Sequence, residues 1–216
     1  MAKIKQGILG GFSGKVANVV GTSWKGRAVM KSQPLSVANP KTEAQQEQRG
    51  KFSKIAELAS VILTQFVQPV ENPISGDISG YNLFCKDNKG AFDALGDIVA
   101  ANCVCGGGKI VNLDQSSVAI VDGGDNLDAV WVNQEDLSAV RLTDKVYMAI
   151  VAEEKDYIFA NNGANARSEE ATSNVKVKGA DNFANGDKVV VFYACVSADG
   201  RDVSIKTTAK EITLSL

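Results

Sequence analysis

The sequence contains no histidine, and its 216 residues include four cysteines, four prolines and 6% aromatic residues. Histidine is the commonest general base in enzymes, so its absence excludes the Ser-His and Cys-His catalytic arrangements. The cysteines, Cys85, Cys103, Cys105 and Cys195, are too few and too irregularly spaced for a disulfide framework, and they fit a reducing compartment better. We therefore expect a protein that is not an enzyme and that uses no cofactor.

Long hydrophobic runs are also missing. The longest apolar helical stretch, near Leu58 to Val70, is interrupted by Gln65, Gln68 and Pro69, and a membrane-spanning helix needs about 18 or more apolar residues. The apolar stretch close to the amino terminus is cut short by glycine, serine and lysine, so it does not fit a secretory signal peptide. The sequence predicts no membrane segment and no signal peptide.

Charge is distributed very unevenly along the chain. The first 55 residues carry ten Lys and Arg against two acids, whereas the remaining 161 carry thirteen Lys and Arg against twenty-three acids. A formal charge of -2 therefore hides a basic segment of about +8 joined to an acidic one of about -10. This separation is the clearest functional signal in the sequence.

The hydrophobic pattern predicts a mainly β chain with some α-helix, in three parts. Residues 1–38 form a basic, glycine-rich arm with a β-hairpin, whose strands flank a connection at Trp24 to Arg27. Residues 39–100 form a helical segment, in which a helix over about 42–67 ends at Pro69 and a weaker one covers about 81–95. Residues 101–216 form a β-sandwich.

Seven short β-rich runs separated by Asp, Gly and Asn turns support the sandwich: 118–121, 129–132, 146–152, 157–160, 175–177, 189–196 and 203–214. Trp131 lies in an early run, and Tyr193 stands two residues before Cys195 in a late one. These positions favour an immunoglobulin-like or fibronectin-like topology that lacks the inter-sheet disulfide.

Motifs that bind ligands in other proteins are incomplete here. Gly10, Gly14 and Lys15 have the wrong spacing for a phosphate-binding loop, and the Gly106–Lys109 run, read as a hinge, lacks the following Ser or Thr. A zinc site would need Cys85 and Cys195 to join the Cys103–Cys105 pair, and buried cysteines are the simpler interpretation. The loop with Asp122, Asp125 and Asp128 lacks the spacing of an EF-hand, and the acid pairs Glu153-Glu154 and Glu169-Glu170 are adjacent in sequence rather than apposed.

Three functions are compatible with the basic segment. Its positive charge can meet the acidic surface of another protein subunit, foremost a second copy of the chain in a homo-oligomer. Alternatively, it can neutralise nucleic acid phosphates through residues 3–54. A third hypothesis is a glycan- or protein-binding module that acts through the sandwich loops.

Six residues are predicted to form the partner-binding surface, because aromatic and basic side chains dominate the binding energy of interfaces. They are Lys15, Trp24, Lys25, Arg27, Arg49 and Phe52.

The amino-terminal third resembles a family of proteins of about this length from Bacteroidota and their bacteriophages. The resemblance rests on the run Ile4 to Val16, on Ser23-Trp24-Lys25-Gly26, on Asn39-Pro40-Lys41-Thr42 and on Gln45 to Arg49. The chain departs from that family at Ala17, where many relatives have Gly, and at Met30-Lys31, where an Arg is usual. That family is described by a domain of unknown function, so the resemblance implies a bacterial or phage source and no activity. We therefore expect a non-enzymatic structural protein, such as a bacteriophage virion or surface-assembly component anchored by its basic segment. With the implied source, we expect it in a virion or in the bacterial cytoplasm.

Overall fold

The computed structural model describes residues 2–3, 11–36, 39–93, 95–122, 127–133, 141–152, 157–169 and 184–215. The chain divides into two compact units, Met1–Gln45 and Gln46–Leu216. Within the described residues, helices and several small antiparallel sheets form a mixed fold.

The first unit is a four-stranded antiparallel sheet of order β1-β4-β3-β2. Its strands are β1 (Ala2–Lys3), β2 (Gly14–Val16), β3 (Val19–Trp24) and β4 (Arg27–Ser32). The predicted hairpin is therefore present as β3 and β4.

The second unit begins with helix. Helix α1 (Glu43–Val61) is followed by a π-helical turn (Leu63–Val67), α2 (Gln68–Glu71), a 3-10 turn (Asn72–Ile74) and α3 (Gly80–Asp87). A further 3-10 turn covers Ala100–Asn102. The two predicted helices are therefore present, with different ends.

The prediction that the first helix ends at Pro69 is wrong. Pro69 lies in the first turn of α2, a position where proline is tolerated because its missing N–H is not needed for the helical hydrogen bonds. The second helix ends at Asp87 rather than near Leu95, because the Asn88 side chain turns the chain toward the next strand. Its Nδ2 donates to the carbonyl oxygens of Phe84 and Val104 at 3.0 and 2.9 Å.

The β-rich part contains β5 (Val104–Cys105), β6 (Ala119–Asp122), β7 (Leu127–Val130), β8 (Lys145–Ala152), β9 (Tyr157–Ala166), β10 (Lys188–Val196), β11 (Thr207–Thr208) and β12 (Lys210–Thr213). Two short 3-10 turns, Arg141–Thr143 and Arg167–Glu169, flank β8 and β9. The predicted strand at 175–177 lies outside the described residues. The other six predicted runs all contain strand.

The central sheet, of order β12-β10-β8-β9, is antiparallel and is covered on both faces. Strand β10 is a continuous hydrophobic run because a strand buried on both sides has no solvent-facing positions. Phe192 packs against Phe66 and Phe84 from the helices, whereas Tyr193 lies in a cluster with Trp131. The sheet thus separates a helical layer from a layer that contains the β6–β7 hairpin.

Candidate interaction face of the amino-terminal sheet

A two-residue turn sets the geometry at the tip of the hairpin. Lys25 and Gly26 both have positive φ values, 47° and 75°, and Trp24 pairs directly with Arg27 across the turn. Two positive φ values are typical of the type I′ turn, whose twist matches that of antiparallel strands. The turn therefore holds Trp24 and Arg27 side by side, with Lys25 beyond them.

The strand register brings the cationic side chains to one side of the sheet. Lys15 pairs with Val20, Val20 with Lys31, and Trp24 with Arg27. Directly paired residues of antiparallel strands lie on the same face, and successive residues alternate between faces. Lys15, Trp24, Arg27 and Lys31 consequently share one face, which we call the basic face.

The opposite face of this sheet carries no charge at its paired positions. It presents Val16, Gly21, Ala28 and Met30. A Cβ added at Gly21 would lie 2.6 Å from the Phe12 ring, so the close approach of that ring requires glycine there. The cationic side chains of strands β2 to β4 are thus confined to the basic face.

Burial within this unit is slight. Among residues 11–36, Val29 is the only hydrophobic side chain that is buried, whereas Trp24 is 51% exposed and Leu35 is 92% exposed. Lys15 and Lys31 are exposed as well. They are two strand spacings apart, which is roughly 10 Å, in one row of the basic face. Trp24 and Arg27 form a second row about 13 Å further along the strands, and the buried Val29 lies in the row between.

Arg49 and Phe52, the other two predicted partner-binding residues, lie on α1. The side chains of residues 43–50 are exposed, and the buried side of the helix begins at Ile55. Phe52 is 56% exposed although it continues the apolar stripe of the helix. Residues three apart on a helix are neighbours, so Arg49 and Phe52 form a pair on its surface. The structure thus groups four of the six predicted residues at the sheet and two on the helix.

Lys31 is a functional candidate that is not among the six predicted residues. Its side chain joins the basic face because it is two strands away from Lys15 in the same row. Side chains alternate between the two faces of a strand, so Lys31 lies on the same face as Arg27. This could have been predicted from the sequence if the bounds of β4 had been known.

Ligand motifs considered from the sequence find little support in the described residues. Gly14 and Lys15 belong to a β-strand rather than to a loop that leads into a helix, and Gly10 lies outside the described residues. Asp125 and the acids Glu153, Glu154 and Glu170 also lie outside them. The described parts of the chain contain no group of three or more His, Cys, Asp or Glu side chains that could hold a metal ion.

The four cysteines are buried, and none of them forms a disulfide. Burial raises the pKa of the Cys105 thiol, and it raises the pKa of Cys195 to about 12. A thiol with a raised pKa is a poor nucleophile and a poor metal ligand, because both roles require the thiolate. The cysteines therefore behave as small hydrophobic core residues.

Within the part of the chain that the structure describes, no helix has the length and apolar character needed to cross a bilayer.

A protein-family model described as a family of unknown function, DUF6266, matches residues 11–208. The match thus spans most of the chain, including the basic face, the helices and the central sheet. The comparisons with curated proteins and with solved structures returned no match.

Proposed function

The chain belongs to the DUF6266 family of unknown function, and from that starting point we propose that it is a non-enzymatic structural or assembly protein. Its basic face docks on the acidic surface of a protein subunit, foremost the second unit of another copy of the chain. The first unit carries seven Lys and Arg and one acid, and the second carries sixteen Lys and Arg and twenty-four acids. Opposite charge of this kind steers association and sets orientation.

One observation carries the proposal: among its described residues the small sheet buries a single hydrophobic side chain, Val29, and it exposes Trp24 on the same face as three cations. Burial of apolar side chains is the main source of folding free energy, so a sheet that buries one valine gains little from its own core. Tryptophan and arginine contribute most to binding when an interface removes them from water. Covering the basic face would stabilise both the unit and the assembly.

The biological setting is part of the same proposal. The resemblance to proteins of Bacteroidota and their phages implies a bacterial or phage source. In the proposed virion or surface-assembly role, the amino-terminal hairpin and helix anchor the subunit and residues 101–216 project outward. An immunoglobulin-like topology for that last part is supported by Trp131, Tyr193 and Cys195 lying in one cluster. Capsid, portal or tail genes next to the coding gene would agree with this setting, and a transcription or repair cluster would contradict it.

Charge reversal tests the proposed docking directly. The test variant combines Lys15→Glu, Arg27→Glu and Lys31→Glu, and the control combines Lys86→Glu, Lys109→Glu and Arg201→Glu. All six side chains are exposed, and both variants change the net charge equally. Light scattering at low salt should show native assemblies larger than a dimer that grow with concentration, that persist in the control and that the test variant loses. Equal assembly by the two variants would contradict the proposal.

A second candidate function is binding of nucleic acid through the basic face. Several single-strand-binding folds stack bases on an exposed aromatic ring of a sheet and hold phosphates with cations on the same face. Trp24 is exposed and pairs with Arg27, on the face that also carries Lys15 and Lys31. The test measures affinity for a single-stranded oligonucleotide and for a duplex of equal length at low and moderate salt. Binding that weakens steeply with salt and that the same charge reversal abolishes would favour this function over assembly.

A further inference from the structure

A second surface, in the other unit, also has the features of an interface. The loop between Phe92 and Ile98 presents Leu95 with 86% of the residue exposed. Among the exposed large hydrophobic residues of the described chain, Leu35 alone is more exposed. Because the Leu95 side chain is exposed to water, it adds almost no burial free energy to the folding of its own chain.

The loop that carries Leu95 is tightly fastened. Oδ1 of Asp93 accepts the backbone N–H groups of Leu95, Gly96 and Asp97 at 2.9, 2.8 and 2.9 Å. The backbone N–H of Asp93 donates to the Asp97 carbonyl at 3.0 Å. From α1, Lys54 donates to the Gly96 carbonyl and lies 5.7 Å from the centre of the Phe92 ring. Contacts within a single chain therefore fix the position of Leu95, so the loop is preorganised for binding.

An open cleft lies at the base of this loop. Its volume is about 600 Å³, and Phe92 and Asp93 belong both to its lining and to the loop. Phe92 and Val99 supply apolar surface, and Lys51 and Lys89 supply positive charge. Asp93 supplies one negative charge, and its Oδ1 is already engaged by the three N–H groups of the loop. The cleft is thus large enough for side chains of a partner and is suited to an apolar residue next to an acidic one.

The loop itself has that character, since Leu95 stands two residues before the exposed Asp97. The loop and the cleft lie side by side on one surface. Two copies can therefore pair about a two-fold axis, with the loop of each copy entering the cleft of the other. The charges agree with this arrangement. Glu47 already holds Lys51 in an ion pair at 2.8 Å, so Lys89 is the cation of the recess best placed to receive an acidic group.

We propose that Leu95 of one copy inserts into the cleft of a second copy, and that Asp97 then meets Lys89 of that copy, in a symmetric exchange. This contact uses the second unit alone and is independent of the basic face. Preorganisation lowers the entropy lost on binding, which is the advantage of the fastened loop. The exposed start of α1, with Arg49, flanks the cleft residue Gln48 and extends the contact area.

Sedimentation of the full chain over a range of concentrations tests the proposal at high salt, where screening weakens association through the basic face. The variant Leu95→Ser should raise the dimer dissociation constant about tenfold or more, as truncating a central apolar anchor does. Leu35→Ser is the matched control, because it removes a comparably exposed leucine elsewhere, and it should leave the constant unchanged. Native-like thermal unfolding of Leu95→Ser would confirm that folding is intact. A native chain that stays monomeric at all concentrations, or a Leu95→Ser variant that dimerises as well as the native chain, would overturn the inference.

Charge exchange adds a test of the pairing itself. Lys89→Glu and Asp97→Lys should each weaken the dimer, and the two together should restore most of it, because the opposite charges are then regained across the contact. If the double variant lost dimer affinity by the sum of the two single losses, the pairing of Asp97 with Lys89 would be contradicted. Reversal of the basic face leaves this dimer intact, so failure of either proposal can be recognised without the other.

Discussion

At the scale of single residues, Glu71 and Arg167 show how polar groups are accommodated in the core. Arg167 is fully buried, and its guanidinium donates to Asn133 Oδ1 and to the carbonyl oxygens of Val111 and Asn112 at 3.0, 2.6 and 2.9 Å. Glu71 is 2% exposed, and its Oε1 accepts the Gly106 N–H at 3.1 Å. Within the described structure, Glu71 Oε2 has no hydrogen-bond partner. Each nitrogen of the buried Arg167 guanidinium thus donates a hydrogen bond, whereas the incompletely bonded carboxyl of Glu71 lowers the stability of the fold.

Burial is the main reason that the pKa of Glu71 is raised, to about 7 from 4.5, with the Gly106 hydrogen bond opposing the shift. Two other charged groups act on it, Asp87 and Lys206, and they form an ion pair with each other at 2.6 Å. The folded chain therefore holds a proton that the unfolded chain releases between about pH 4.5 and pH 7. Stability falls as pH rises through this window, because the folded state binds more protons.

We predict that the free energy of unfolding drops by about 3 kcal/mol from about pH 4.5 to about pH 8 through Glu71 alone. Glu71→Gln should remove this part of the slope, because the amide resembles the neutral carboxyl and does not titrate. The exposed Glu57→Gln is the matched control and should keep the native slope. Urea unfolding at several pH values measures all three proteins, and identical slopes would show that Glu71 stays ionised in the folded chain.

Neither residue could be identified from the sequence. Arg and Glu are usually exposed, and hydrophobic periodicity gives no signal for a buried charge. Their partners are separated from them by 35 residues for Glu71 and by 34 to 56 for Arg167. Contacts of that range depend on the final packing.

At the scale of elements, the best predictions came from periodic patterns and the poorest from element ends. The stripe of α1 and the hydrophobic run of β10 placed both elements, because burial of one helix side or of both strand faces leaves a repeating signature. The stop at Pro69 was wrong because a π-helical turn leads into a further helix there. The stripe also includes Phe52, which the structure leaves exposed, since the core begins a turn later.

Turns between strands carry a second prediction. Ala17 has a φ of 50° in the two-residue connection between β2 and β3, and this conformation costs a residue with a Cβ about 1 kcal/mol. Ala17→Gly should therefore stabilise the amino-terminal sheet by roughly 0.5–1 kcal/mol.

Hydrogen exchange of the β2 and β3 amides measures the effect as increased protection. Ala28→Gly, in the middle of β4, is the control of opposite sign, because glycine is unfavourable within a strand. Reduced protection in Ala17→Gly would mean that the loss of the methyl group outweighs the relief of backbone strain.

At the scale of the whole molecule, the charge separation visible in the sequence corresponds to the two compact units of the chain. What the sequence could not provide was the basic face. Lys15, Trp24, Arg27 and Lys31 come together only through strand register, and a shift of one residue would move each to the other side. The sequence predicted that the chain contains both strands and helices. It did not predict that helices cover one face of the central sheet, because local sequence patterns do not specify which layers pack together.

The central claim is that the basic face becomes covered by a partner, and acrylamide quenching of tryptophan fluorescence tests it most directly. The chain has two tryptophans, of which Trp131 is 1% exposed and Trp24 is 51% exposed, so the quenched emission reports Trp24. We predict that quenching of the native chain decreases as protein concentration rises at low salt and that it recovers at high salt, where screening weakens the attraction. Quenching that stays constant at every concentration and salt level would contradict the account.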